Sequence, residues 1–268
     1  LVIGKGGSGG NVAVDRAVPT THANPITPPA GGGGTGDMVI PGGRPVVPLA
    51  FRDAVRGGFR SRGGDAFLGK AGAMVRVGGN GTGPGQNGPA GTGYGSGGGG
   101  ATTSRTQDPA NGGKGANGVV ILELIYDDEQ TLYFTDNATF NPNAYPGLKA
   151  VRVRAQGAGG GGGGAAGAGQ GSVAVAYGGN GGAYAESFLK IDQLGTSPIP
   201  ITVGDGGSGG SAAGGDGSKG GDTSFGSLVI AEGGRGGWGA TSSTPPTSGE
   251  KGAAPALSVG TGQLVISG

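Results

Sequence analysis

Two stretches of this chain carry the spacing of a serine nucleophile: Gly-Gly-Ser-Gly-Gly at 6–10, centred on Ser8, and again at 206–210, centred on Ser208. G-x-S-x-G serves hydrolases because a strand-to-helix turn lifts the hydroxyl to where a histidine can take its proton. The single histidine in 268 residues is His22, in a loop rich in Pro and Thr, and with 72 glycines the motif arises from composition alone. Residues 204–209, GDGGSG, also satisfy G-x-G-x-x-G after the strand-like PITV. The residues that follow, GSAAGGDGSKGG, cannot form the helix whose N-terminus would hold a pyrophosphate. Neither Lys5 nor Lys70 is followed by the Ser or Thr of a phosphate-binding loop. The expectation is a protein that is not an enzyme and holds no cofactor.

The remaining candidates are contact residues. RGGFRSRGG (56–64) sets Arg56, Arg60 and Arg62 around Phe59, in the manner of the Arg-Gly-Gly boxes of RNA-binding tails. Cations with an interleaved aromatic can bind single strands by phosphate contact and stacking; a solvated basic loop is the plainer reading. The formal net charge is +1 and charged residues make up 13 % of the chain, so no global field favours nucleic acid or a membrane surface. Acidic residues suited to metal are Asp205, Asp216 and Asp222, with Asp127, Asp128 and Glu129 elsewhere, although Lys219 stands where a calcium repeat would want Asp. Loop tips are the alternative, and no metal site is expected. Tyr177 and Trp238 lie within glycine runs, where an exposed aromatic can touch a ligand or pack against a neighbouring strand.

The elements that must position these residues are short strands bounded by glycine. TLYFTDNATF, LKAVRVRA, AYAESFLKI (183–191), PIPITVGD (198–205), FGSLVIAE and GQLVIS read as strands, as does GANGVVILELIY (115–126). PLAFRDAVRGG (48–58) has a Pro start and a Gly stop and reads as a two-turn helix. LVIGKGGSGG (1–10) and LVIAEGGRGG (228–237) repeat one pattern, which divides the chain into a partial glycine-rich unit over 1–126, interrupted by an insertion at about 35–95, and a nearly complete unit over 127–268. The chain has no cysteine, which excludes disulfides and thiolate chemistry. It also has no apolar run long enough for a transmembrane helix. Beginning at Leu1 without a signal-like segment, it is expected to be a mature fragment or the ordered part of a longer polypeptide.

Residues 157–169, GAGGGGGGAAGAG, cannot build a side-chain core. Placed between strands, they read as structure or as a disordered linker. Polyglycine can form a left-handed helix of about three residues per turn with no internal hydrogen bonds, so that packed copies exchange N–H and C=O groups sideways. The tract is expected to pair with runs near 204–221 and 233–239, with Ser208, Asn180 and Arg235 on the outside or at the ends of the bundle. Because hydrophobic residues are only 34 % of the chain, association is the expected route to burying them. The fold class expected is mainly β with packed polyglycine II-type helices, in sandwich-like units of an intertwined homotrimer.

The serial order LKAVRVRAQGAGGGGGGA, GGAYAESFLKI, PITVGDGGSGG, GGDTSFGSLVIAEGGRGG resembles the glycine-rich domain of bacteriophage minor tail and tail-fibre proteins, especially those of phages of actinobacteria. The likeness covers 131–268, with 1–10 and 95–126 as a partial second copy, and the insertion has no counterpart in it. It implies a virion component of the tail tip or fibre, commonly a trimer, that contacts other tail proteins and a host cell-envelope receptor. Loops at 15–35, 43–75 and 240–254 would make those contacts. It carries no catalytic residues to transfer. A bacterial glycine-rich cell-surface structural protein is the alternative class.

Overall fold

The computed structural model describes residues 33–45, 59–72, 75–77, 85–104, 108–126, 130–168 and 173–241. The stretches 1–10 and 260–268 and the helix expected over 48–58 lie outside these residues. The described strands begin with β1 (Gly34–Thr35), β2 (Met38–Ile40), β3 (Phe59–Ser61), β4 (Gly69–Lys70), β5 (Val75–Val77), β6 (Thr92–Gly93), β7 (Thr102–Ser104) and β8 (Val119–Ile125). They continue with β9 (Gln130–Phe134), β10 (Ala138–Phe140), β11 (Ala150–Gln156), β12 (Val173–Val175), β13 (Tyr184–Lys190), β14 (Ile199–Thr202), β15 (Thr223–Phe225) and β16 (Val229–Ala231). A one-turn helix, α1 (Ile191–Leu194), takes the end of the run expected to be strand to 191.

Two five-stranded antiparallel sheets, ordered β1-β16-β15-β14-β10 and β2-β13-β11-β8-β9, share one apolar core. Alternation along β8 and β11 sends Val120, Leu122, Leu124, Val151 and Val153 inward, where they meet Phe140, Ile199, Ile201, Phe225 and Val229 of the facing sheet. The Phe140 and Phe225 rings lie 5.7 Å apart at its centre. The chain changes sheets at both sides, from β1 to β2 and from β9 to β10, and these four are the edge strands. Each crossing is tied down by a side chain. Asp37 Oδ2 accepts the Phe188 N–H at 2.7 Å, and Asn137 Oδ1 accepts the Val203 N–H at 2.8 Å. The boundary expected at 126/127 falls in the connection between β8 and β9, which pair from Val120↔Phe134 to Leu124↔Gln130.

Beyond the sheets the strands run on as glycine segments with no regular secondary structure of their own. Residues 157–166 are enclosed by six neighbours. The N–H groups of Gly157, Gly160 and Gly163 go to Ala183, Asn180 and Tyr177, those of Ala158, Gly161 and Gly164 to Gly221, Ser218 and Gly215, and those of Gly159, Gly162 and Ala165 to Ala116, Gly113 and Ala110. Every third residue therefore donates to the same neighbour. The carbonyls complete the set, accepting from Gly98 and Ala101, from Gly207 and Gly210, and from Gly234, Gly237 and Ala240. These bonds measure 2.8–3.1 Å. The six neighbours also bond to each other in a closed ring, through Gly113→Gly99, Gly115→Gly207, Ser218→Ser208, Gly220→Gly234, Asn180→Arg235 and Gly179→Gly98.

The tract thus pairs with the runs expected near 204–221 and 233–239, reaches one residue further to Ala240, and does so within one chain. All six neighbours of the tract come from the same chain. The insertion at 35–95 takes part as well. Gly64 N–H reaches Gly179 O at 2.7 Å, Gly181 N–H reaches Gly43 O at 3.0 Å, and Gly99 N–H reaches Pro89 O at 2.8 Å, so 41–45, 61–66 and 85–91 form an outer layer on one side.

The methyl groups of Ala158 and Ala165 are buried in this array, but no side chain fits at its central glycines. A Cβ on Gly160, Gly161 or Gly162 would run into the carbonyl of Arg235, Ser208 or Gly99. Gly161→Ala should therefore lower stability by about 3 kcal/mol in urea unfolding. Gly147→Ala, at a turn with φ of +82° and open space around the added carbon, should cost only about 1 kcal/mol.

Candidate functional site

Six residues are expected from the sequence to make surface contacts, and they do not converge. Arg56 lies outside the described residues. Phe59 and Arg60 belong to β3, paired with β5 through Phe59↔Val77 and Arg60↔Arg76. The Arg62 guanidinium meets Asp65 Oδ1 at 2.7 Å, an exposed pair of the sort that contributes little to stability. The same carboxylate oxygen accepts the Ala71 N–H at 2.9 Å, so Arg62 is held to the array. Tyr177 corrects its expectation: it is 2 % exposed, its edge set against the Trp238 ring at 5.4 Å and 72°. Trp238 is half-buried. Packing, rather than ligand contact, accounts for the Tyr177 ring.

Asn180 is likewise buried, not external, whereas Ser208 is exposed and Arg235 half-exposed. The rule behind these differences is a Gly-Gly-x period that the expectation over-simplified. Tyr177-Gly-Gly-Asn180-Gly-Gly-Ala183, Asp205-Gly-Gly-Ser208-Gly-Gly-Ser211 and Glu232-Gly-Gly-Arg235-Gly-Gly-Trp238 each place the larger residue every third position. With a hydrogen-bonding direction that also repeats every three, such residues share one side of their segment. That side is where no glycine neighbour presses, and what covers it decides whether the side chain is buried.

Several polar side chains end the array by accepting N–H groups at its margin. Asp216 Oδ1 accepts Gly239 N–H at 2.8 Å, Asn117 Oδ1 accepts Gly206 N–H at 3.0 Å, and Thr223 Oγ1 accepts Gly204 N–H at 3.0 Å. Asp222 Oδ1 takes both Gly233 N–H at 2.9 Å and Lys219 Nζ at 2.7 Å. Partial burial pushes the Asp222 carboxyl up, but the Lys219 and Gly233 hydrogen bonds outweigh it and hold the group below the usual carboxylate value. Asp216 and Asp222, considered for metal from the sequence, thus serve as backbone acceptors. Among the described residues no three carboxylates or histidines converge.

Gln156, the last residue of β11, joins sheet to array and had no motif to announce it. It is fully buried. Its Nε2 donates to Gly182 O at 3.0 Å and Ala183 O at 2.8 Å, and its Oε1 accepts the Leu68 N–H at 3.3 Å from the insertion.

The outward face of the β2-β13-β11-β8-β9 sheet holds the densest chemistry. Arg152 lies opposite Glu123 on β8, and Arg154 opposite Glu186 on β13. The diagonals close as well, giving four ion pairs of 3.3–3.7 Å. The Tyr184 hydroxyl donates to Glu186 Oε2 at 2.6 Å, and its ring carries Phe67 at 4.4 Å. Burial first, and then the Glu186 contact, push the Tyr184 hydroxyl well above its usual range.

Residues 135–265 match a family model described as a glycine-rich domain. No curated protein and no solved structure matches the chain. No helix among the described residues is long and apolar enough to cross a membrane.

Two outcomes follow from the titrating groups. The buried Tyr177 hydroxyl has no hydrogen-bond partner among the described residues, and burial raises its pKa. Tyr177→Phe should be neutral or stabilising by up to about 1 kcal/mol at neutral pH. A raised folded value is lost as an advantage when pH climbs past the ordinary tyrosine value of about 10, so the variant should melt with a smaller alkaline decline than the parent. Asp222 behaves in the opposite sense. Its lowered folded value stabilises above the unfolded carboxylate range, so the melting-temperature gap between parent and Asp222→Asn should shrink as pH falls through about 4 and towards 2.

Proposed function

We propose that this chain is a virion structural protein of a bacteriophage tail tip or tail fibre, which attaches to the host cell surface or supports the receptor-binding apparatus. It has no catalytic role in this reading. The support is the serial order of strands and glycine runs, in which 157–166 sits at the centre of six bonded neighbours. The three-residue succession of donors is what helices of about three residues per turn would give, and we assign the segments to the polyglycine II type. Such a bundle suits a mechanical part. Its interior consists of backbone and a few alanine methyl groups, its register is fixed at every residue, and stiffness comes without a large apolar core.

The assembly assigned is a homotrimer in contact with other tail proteins, with the loops carried at the ends of the segments facing the envelope receptor. Sedimentation of the purified chain should give the mass of three copies; a folded monomer overturns the trimer. Antibody labelling of particles by electron microscopy, followed by a map of the tail, should place the chain at the tip or fibre. Finding it instead in a bacterial envelope fraction, with no tail genes adjacent, would replace the virion reading with the cell-surface one.

A further inference from the structure

The outward face of the β2-β13-β11-β8-β9 sheet carries large exposed rings. Tyr133 on β9 is 69 % exposed and Phe188 on β13 is 46 % exposed, while Phe67, on the loop above Tyr184, is 58 % exposed. Between them lie the four charges. Phe188 is the cross-strand neighbour of Arg152, and Tyr133 is the neighbour of Ile121, itself opposite Arg154. β13 and β9 are separated by three inter-strand steps and the two positions are offset by two residues along the strands, so Phe188 and Tyr133 flank the charges across roughly 16 Å.

From this arrangement we infer a binding face for a neutral oligosaccharide. The C–H faces of pyranose rings stack on exposed aromatic rings, and their hydroxyls both donate and accept hydrogen bonds. The face offers that pairing. Among the described residues Arg152 makes ion pairs of 3.5 and 3.7 Å, longer than good hydrogen bonds, and its side chain is 40 % exposed, which leaves N–H donors accessible to a ligand. Glu123 and Glu186 supply acceptors beside them.

Net charge selects the ligand class. Two guanidinium groups, two carboxylates and the exposed Lys190, which follows Phe188 on the same side of β13, leave a single net positive charge, too weak a field to favour phosphate-rich nucleic acid. The layout also departs from that of a protein interface, which keeps charge out of its centre and sets aromatic residues there. In this face the charges are central and the rings peripheral. The rows sit on a paired sheet, so little conformational freedom is lost when a ligand docks.

This inference goes beyond the virion reading and does not depend on it. The test is a titration of the 15N-labelled full chain with neutral tri- and tetrasaccharides of glucose, mannose, galactose and N-acetylglucosamine, followed by NMR. Saturable shifts are expected at Tyr133, Phe188, Arg152 and Arg154, with dissociation constants of about 0.1–3 mM. Tyr133→Ala with Phe188→Ala should weaken binding at least about tenfold with an unchanged melting temperature, since both side chains are exposed, while Tyr133→Phe should keep it. The proposal is overturned if no neutral sugar binds at about 10 mM, if only acidic glycans bind, if the double alanine variant binds like the parent, or if a protein partner occupies this face and sugars do not compete. Absence of the chain from phage particles would end the virion reading and leave the sugar titration unaffected.

Discussion

A buried peptide group must find a hydrogen-bond partner, and in this protein that requirement is met sideways. Residues 157–166 make no hydrogen bonds within their own segment; over 157–164 each N–H goes to one of three neighbours in turn, and carbonyls accept from three others. An orphaned amide in such a place would cost about 1–3 kcal/mol, so the interior holds together only as a set. The need for glycine follows from the same closeness. At Gly160, Gly161 and Gly162 the Cα faces the carbonyl of a neighbouring segment, a contact that contributes weakly as Cα–H···O and leaves no room for a methyl group.

Glycine is an expensive residue to order, because it has the most backbone freedom to lose. The sheets offset that cost. β8, β11 and β13 lie side by side with Val120, Leu122, Val151, Val153 and Leu189 in the core, and the glycine segments 110–118, 157–166 and 176–183 attach directly to them. Strand register therefore sets the register of the glycine segments, and Gln156 secures the transition by holding Gly182, Ala183 and Leu68 at once. Apolar burial supplies the driving force at one end, and backbone hydrogen bonding carries order onward from it. The edge strands of the two sheets are joined in sequence by the crossings at Asp37 and Asn137.

How much of this was legible depended on which periodicity was read. The strands were, because period-two alternation marks Val151 and Val153 against Arg152 and Arg154, and Tyr133 against Leu132. The tract at 157–166 was legible as a packed interior because nothing larger than alanine occurs in it. Less legible was the three-residue period of the other runs, which reports how enclosed a segment is. A segment with only Gly and Ala is surrounded, as 157–166 is. One with a larger residue at every third position, such as Asp205, Ser208 and Ser211, has one open side. The residues at 35–95 read as an insertion without a counterpart, since the sequence does not say that 61–66 and 85–91 extend the same array. The candidate contact residues scattered for a related reason: Tyr177 follows the three-residue rule, but only its neighbour Trp238 decides that it is covered.

The sequence by itself determined that this chain would be mainly β, would lack a large side-chain core and would place backbone against backbone wherever glycine runs, because those properties follow from side-chain size and local alternation. Tertiary structure alone decided that one chain closes the ring of six around 157–166, and that Arg152, Arg154, Glu123 and Glu186 meet on one sheet face. Both depend on pairing between residues far apart in sequence. Glycine cannot encode that choice, since one glycine offers the same N–H and C=O as any other; register comes from the side chains of β8, β11 and β13, whose packing exists only in the fold.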